Sequence, residues 1–135
     1  MLARAAHANV YPAQTPEIGW CPVELTGDAA DDPLLGPLPA RFDAFQWHYY
    51  THDLPDGAVE LARSSVCTQA YRLGDRVWGV QFHPEVTAAQ VDSWIEDEQE
   101  IDGEALRTET AGRIEAWNGL GRDLCGRFLD LSADR

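Results

Sequence analysis

Short apolar runs punctuated by Pro, Gly and Asp fill the chain up to Thr87, and helical spacing takes over after it. The opening Leu2-Ala3-Arg4-Ala5-Ala6 is a run of good helix formers with no N-cap before it, so residues 1–8 read as the end of a helix. Val10-Tyr11-Pro12 reads as a short strand entering a turn, and Glu17–Leu25 as a strand between Pro16 and Gly27-Asp28. Asp31-Asp32-Pro33, Gly36-Pro37 and Pro39 make 28–40 a loop, with room for a short helical turn. Phe42–Tyr50 is an aromatic-rich strand, Leu54-Pro55-Asp56-Gly57 a turn and Ala58–Ala62 a short strand. Cys67–Arg72 and Val77–Phe82 flank Leu73-Gly74-Asp75-Arg76 as a hairpin. Thr87 caps a helix through Trp94-Ile95. A last helix spans about Glu104 to Leu131, with a break expected near Asn118-Gly119-Leu120-Gly121; Ile114, Trp117, Leu124 and Phe128 lie on one stripe of it.

Charge narrows the partners. The 135 residues carry 10 basic and 23 acidic side chains, a net charge of −13. Phosphate backbones and anionic membrane surfaces attract cationic proteins, so neither nucleic acid nor membrane is expected as a partner. No apolar stretch approaches the roughly 20 residues of a membrane helix, and the first residues lack the apolar segment of a secretory signal. Cys21, Cys67 and Cys125 are odd in number and widely spaced, which suggests neither a disulfide framework nor a zinc knuckle. A cytoplasmic protein is expected. The acidic run over 92–109 reads as a solvated helix face and loop.

The sharpest chemical feature is Gly79-Val80-Gln81-Phe82-His83-Pro84-Glu85-Val86. A buried strand stops at Pro84, which cannot donate to a sheet ladder. His83 and Glu85 follow at its carboxyl end, where α/β sheets place ligands. Being two residues apart, they share a side in extended backbone. A carboxylate beside a His holds one tautomer and stabilises the imidazolium, which suits a general acid/base working on a nucleophile. On spacing alone, His-x-Glu is equally an ordinary strand end with a charge at a helix start.

The longer string resembles the His/Glu segment of the class I, triad-type glutamine amidotransferases. Phe45-Gln46-Trp47-His48, Leu54-Pro55-Asp56-Gly57-Ala58, Leu61-Ala62-Arg63-Ser64, Gln69-Ala70-Tyr71-Arg72 and Glu17-Ile18-Gly19-Trp20 extend it toward the GMP-synthetase-like subfamily, over residues 1 to about 95. The resemblance implies an α/β fold, a partial flavodoxin-like (Rossmann-like, three-layer) domain. Residues 1–135 would form the C-terminal part of it: a sheet-rich part, 1–86, with the His/Glu motif, and acidic helices over 87–135. It implies glutamine as substrate, no cofactor, and a cysteine thiolate that attacks the glutamine amide to give a thioester and ammonia. His83 and Glu85 match the pair that activates this cysteine. Trp47, His48 and Tyr49 match a turn lying against the bound glutamine, largely through backbone groups, although many members have a smaller residue or Gly where Tyr49 stands.

One departure stands out. The family's cysteine lies in a Gly-x-Cys-x-Gly elbow, and none of Cys21, Cys67 and Cys125 has Gly both two before and two after. The opening residues match the helix that follows the elbow, so the N-terminal half of the domain is expected to be missing and the chain alone to be inactive. A synthase or complementing subunit is then the expected partner; the alternative is a non-catalytic binding or regulatory module. No Gly-rich phosphate loop is present. His48 and His52 are four apart in a strand and turn rather than on a helix, and no metal site is expected from them with His83.

Overall fold

The structure, a computed structural model, describes residues 1–133. Five strands form one antiparallel sheet in the order β2-β1-β3-β4-β5. They are β1 (Val10–Leu25), β2 (Arg41–His52), β3 (Ala58–Arg63), β4 (Thr68–Leu73) and β5 (Val77–Val80). Helix α1 (Leu2–Ala5) precedes the sheet, α2 (Ala88–Asp97) and α3 (Gly103–Ala133) follow it, and a 3₁₀ turn covers Gly27–Asp31. The architecture is mixed α/β. None of the helices is long and apolar enough to cross a membrane, among the described residues.

The expected short strand at Val10 and the strand from Glu17 are one 16-residue strand with a register shift between Pro12 and Glu17. Prolines 12, 16 and 22 are tolerated because β1 meets β3 only at Glu24 and Leu25, leaving most of its second edge free of ladder bonds. The β4–β5 hairpin forms as expected, with Gly74 at φ 62° supplying the left-handed turn residue. Thr87 caps α2: its hydroxyl accepts from the Gln90 backbone N–H, and the Gln90 side chain accepts from the Thr87 N–H.

Helix α3 runs unbroken through Asn118–Gly121. Packing explains why Gly is kept at 121: a Cβ there would stand 2.1 Å from the Pro84 carbonyl oxygen. The helix backbone lies directly against the turn that carries His83 and Glu85. Trp117 anchors the same contact. Its ring is edge-on to Trp20 and Phe82, at 5.7 and 6.0 Å between centroids. Buried Phe45, Leu61, Val23 and Val91 complete the core between sheet and helices. At the far side, Asp32 is a buried hub. Its carboxylate accepts from the Leu34 and Leu35 backbone N–H groups, from Arg72 Nε at 2.9 Å and from Trp78 Nε1. It thereby pins the 28–40 loop to β4 and β5.

Candidate active site

His83 leaves the sheet just beyond β5. Its backbone N–H donates to the Phe45 carbonyl at 2.9 Å, and its own carbonyl accepts from Trp117 Nε1 at 2.9 Å. Asn118 Nδ2 holds the Val86 carbonyl at 2.7 Å. Three contacts from α3, by Trp117, Asn118 and Gly121, thus fix the segment His83–Val86 without touching its two functional side chains. His83 Nδ1 lies 2.8 Å from Glu85 Oε1. With the carboxylate accepting, Nδ1 carries the proton and Nε2 presents a lone pair. Among the described residues Nε2 makes no hydrogen bond, and the ring stands edge-on to Trp94 at 5.1 Å. The pair is partly open to solvent, 28 % for the His side chain and 58 % for the Glu.

Trp47, His48 and Tyr49 line one cavity of about 340 Å³, together with Gln81 and Tyr50. Trp94 contacts both sides, its ring meeting Trp47 at 5.5 Å as well as His83. Gln81 Nε2 donates to the Tyr50 carbonyl at 2.8 Å and closes the far wall. The exposed Tyr49 hydroxyl donates to Glu98 at the end of α2, and that bond raises the phenol's pKa. Tyr49 thus lines the cavity with its hydroxyl tied to Glu98.

His48 takes a different part from the one its place in the motif suggests. It faces Glu17 directly across β1 and β2, with Nε2 3.2 Å from Glu17 Oε2. Cys67 Sγ and Gln69 Nε2 reach the same carboxylate oxygen at 3.4 and 2.8 Å, and Gln46 Nε2 donates to Gln69 Oε1 at 2.6 Å. Burial pushes the Glu17 carboxyl up, but the polar groups of His48, Ser64 and Cys67 around it outweigh that and hold it below the ordinary range. Sequence reasoning passed over this cluster. Its signal was Glu17, Gln46 and Gln69 standing in strands whose neighbours are apolar, a pattern that requires buried polar partners. His52 and His83 do not join it: His52 lies against the Asp53 carbonyl and Tyr71, and His83 against Glu85 and Trp94.

The cysteines are set apart from the dyad. Burial pushes the Cys21 and Cys67 thiols up to about 11, with the Glu17 charge adding to both. Cys21 Sγ turns to the Gly19 carbonyl and Cys67 Sγ to Glu17. Cys125 is exposed on α3. A nucleophilic cysteine needs its thiolate near neutral pH, and burial beside a carboxylate works against that. A cavity of about 600 Å³ is bounded by Glu17, Cys21, Arg41, Arg63 and Ser64, and its lining does not include His83 or Glu85.

Comparison with known proteins shows the family. A family model described as glutamine amidotransferase class-I matches residues 1–99. The chain is 41 % identical over 96 residues to a glutamine-hydrolyzing GMP synthase of Thermomicrobium roseum, a match that covers 70 % of this chain and 18 % of that protein. It is 30 % identical to the glutamine amidotransferase-like protein YfeJ of Salmonella typhimurium, over 96 % of this chain and 56 % of YfeJ. A crystal structure of a glutamine amidotransferase from Thermotoga maritima superposes with a TM-score of 0.82 at 32 % identity, covering 95 % of this chain and 57 % of that one. A glutamine amidotransferase from Methylobacillus flagellatus gives 0.81 at 28 % identity, over 96 % and 58 %. The chain spans little more than half of YfeJ and of these two structures, and under a fifth of the GMP synthase. With the sheet, the helices and the motif segment all matched, the chain belongs to the class I glutamine amidotransferase family.

Proposed function

We propose that this chain carries the acid–base part of a glutamine amidotransferase centre, with His83 as general acid/base and Glu85 as its orienting carboxylate. The observation that carries the reading is the 2.8 Å contact from His83 Nδ1 to Glu85, which leaves Nε2 free to take a proton. In this scheme Nε2 accepts the thiol proton of a cysteine outside the 135 residues, on a Gly-x-Cys-x-Gly elbow of the kind the family resemblance implies. The thiolate attacks the side-chain carbonyl carbon of glutamine. The C–N bond breaks as Nε2 returns the proton to the departing nitrogen, giving ammonia and a glutamyl thioester. Water, deprotonated by Nε2, then releases glutamate and the thiol. Glu85 stabilises the imidazolium formed at each stage without taking its proton.

The Trp47–Tyr49 wall is the proposed border of the glutamine site, through the cavity it shares with Gln81. Residues 1–86 then act as the sheet-rich, motif-bearing part of the domain and 87–135 as the helices that brace it. Ammonia passes to a synthase partner or subunit, in the reducing cytoplasm that three free thiols suit.

The test is ammonia release from glutamine by the purified chain. Loss of a triad nucleophile costs on the order of 10⁶ in kcat, so the expected release is at the blank. Release that Cys21→Ser or Cys67→Ser abolishes puts the nucleophile inside this chain and overturns the scheme. Release that survives His83→Ala points to other chemistry.

A further inference from the structure

The Glu17, His48 and Cys67 cluster has a feature that packing alone leaves unexplained. His48 is only 9 % exposed, and both of its ring nitrogens face oxygen acceptors. Nδ1 lies 3.2 Å from the Tyr50 carbonyl and Nε2 lies 3.2 Å from Glu17 Oε2. A neutral imidazole has one N–H and satisfies one of them. If Nδ1 donates to the carbonyl, the lone pair of Nε2 is directed at a carboxylate, and Nε2 has no hydrogen bond of acceptable geometry. A cation between the two removes the conflict.

We propose that Glu17 Oε2, His48 Nε2 and Cys67 Sγ form a binding site for a divalent, borderline-soft transition-metal ion of the zinc class. The donor set is a carboxylate, an imidazole and a thiolate, which zinc accepts and which magnesium or calcium does not favour. The three ligand atoms lie within 4.8 Å of one another. With Zn–N and Zn–O near 2.0–2.2 Å and Zn–S near 2.3 Å, tetrahedral geometry sets ligand edges of roughly 3.3 Å for N···O and about 3.5 Å for S···O. The observed edges are 3.2 Å from His48 Nε2 to Glu17 Oε2 and 3.4 Å from Cys67 Sγ to the same oxygen.

The surroundings also suit a metal. The Tyr50 carbonyl against Nδ1 fixes the tautomer that frees Nε2, the usual outer partner of a ligating histidine. Gln69 Nε2 donates to Glu17 and lies 3.5 Å from Cys67 Sγ, and Gln46 orients it from behind. Glu17 and Ser64 line the 600 Å³ cavity, which gives an ion a route to the neighbourhood of the carboxylate. Binding converts Cys67–SH to a metal thiolate and releases one proton to solvent. The site is separate from His83 and Glu85 and does not depend on the glutaminase scheme.

Cobalt(II) is the probe, added to the full chain under reducing conditions and followed by absorption, with zinc(II) as competitor. The expected result is one cobalt per chain with a sulfur-to-cobalt charge-transfer band, displaced by zinc. Cys67→Ser abolishes the band and weakens zinc binding by more than the roughly 10–100-fold typical of losing an outer-shell partner. Cys21→Ser and Cys125→Ser leave it intact. Glu17→Gln, which retains the side-chain shape, gives a second weakened variant if Cys67→Ser does not fold. A folded wild-type chain that shows no charge-transfer band overturns the proposal. A band that follows Cys21 or Cys125 instead of Cys67 overturns it as well.

Discussion

Four glycines lie within α3 after its first residue, and the structure separates one from the rest. A methyl group placed on Gly112 or Gly126 would have nothing within 4 Å, and one on Gly119 only the tip of Arg122 at 4.0 Å. Gly121 would place its Cβ 2.1 Å from the Pro84 oxygen. Since C···O contacts settle near 3.3–3.6 Å, Gly121→Ala must part the helix and the turn by about 1.2 Å. Helix propensity alone favours Ala over Gly by about 1 kcal/mol. Overpacking of a close contact costs about 1–3 kcal/mol. The balance is a destabilisation of roughly 0–2 kcal/mol for Gly121→Ala, and a gain of about 0.5–1 kcal/mol for Gly112→Ala and Gly126→Ala. At about 4 °C per kcal/mol for a domain of this size, calorimetric melting separates the variants in sign. The displaced turn carries His83 and Glu85, so their NMR resonances shift in Gly121→Ala and stay in place in Gly112→Ala. A Gly121→Ala variant that melts as high as Gly112→Ala, with the His83 resonances unmoved, refutes the close packing of α3 on the motif.

Asp32→Ala leaves the buried Leu34 and Leu35 backbone donors without their acceptor, while Arg72 keeps its bond to the Gly74 carbonyl; denaturant titration should show a loss of about 1–3 kcal/mol. Thr87→Ala removes the cap of α2 and should lower stability by about 1 kcal/mol in the same titration. At neutral pH, mass-resolved alkylation should label the exposed Cys125 first, with Cys21 and Cys67 slow because burial keeps them protonated. The Cys21 thiol goes from 9.0 to about 11 on folding, so the unfolded chain loses this proton first. Stability should therefore fall as pH rises above 9 toward 11, and Cys21→Ser should remove part of that slope.

Much of the fold could be read from local chemistry. Leu73-Gly74-Asp75-Arg76 and Thr87 each specify their own geometry, a left-handed turn residue and a reciprocal cap, and both formed where the sequence indicated. The joining of Val10–Pro12 to Glu17–Leu25 was not legible, because Pro12 and Pro16 signal a turn unless the strand edge beside them needs no ladder bonds, and that depends on where β3 lies. The continuity of α3 was hidden for a similar reason. Gly121 reads as a helix breaker in isolation and as a packing requirement only once Pro84 is opposite it. His83 and Glu85 were visible as a pair in the motif, but the extended backbone expected between them is a turn at Pro84-Glu85, closed by the Val86 N–H donating to the His83 carbonyl. The partnership of His48 with Glu17 comes from the register of β1 on β2, and Cys67 and Gln69 reach them from the start of β4, which pairs with neither strand, so no local pattern encodes it.

The central claim is that His83, oriented by Glu85, serves a cysteine that this chain does not itself supply. Reconstitution tests it most directly: the purified chain is mixed with a polypeptide bearing the Gly-x-Cys-x-Gly elbow region of a relative such as YfeJ, and glutamine-dependent ammonia release is followed. The account predicts no release from either part alone, release from the mixture, and loss of that release with His83→Ala in this chain or Cys→Ser in the elbow. Release by this chain alone, or release from the mixture that persists with His83→Ala, would contradict it.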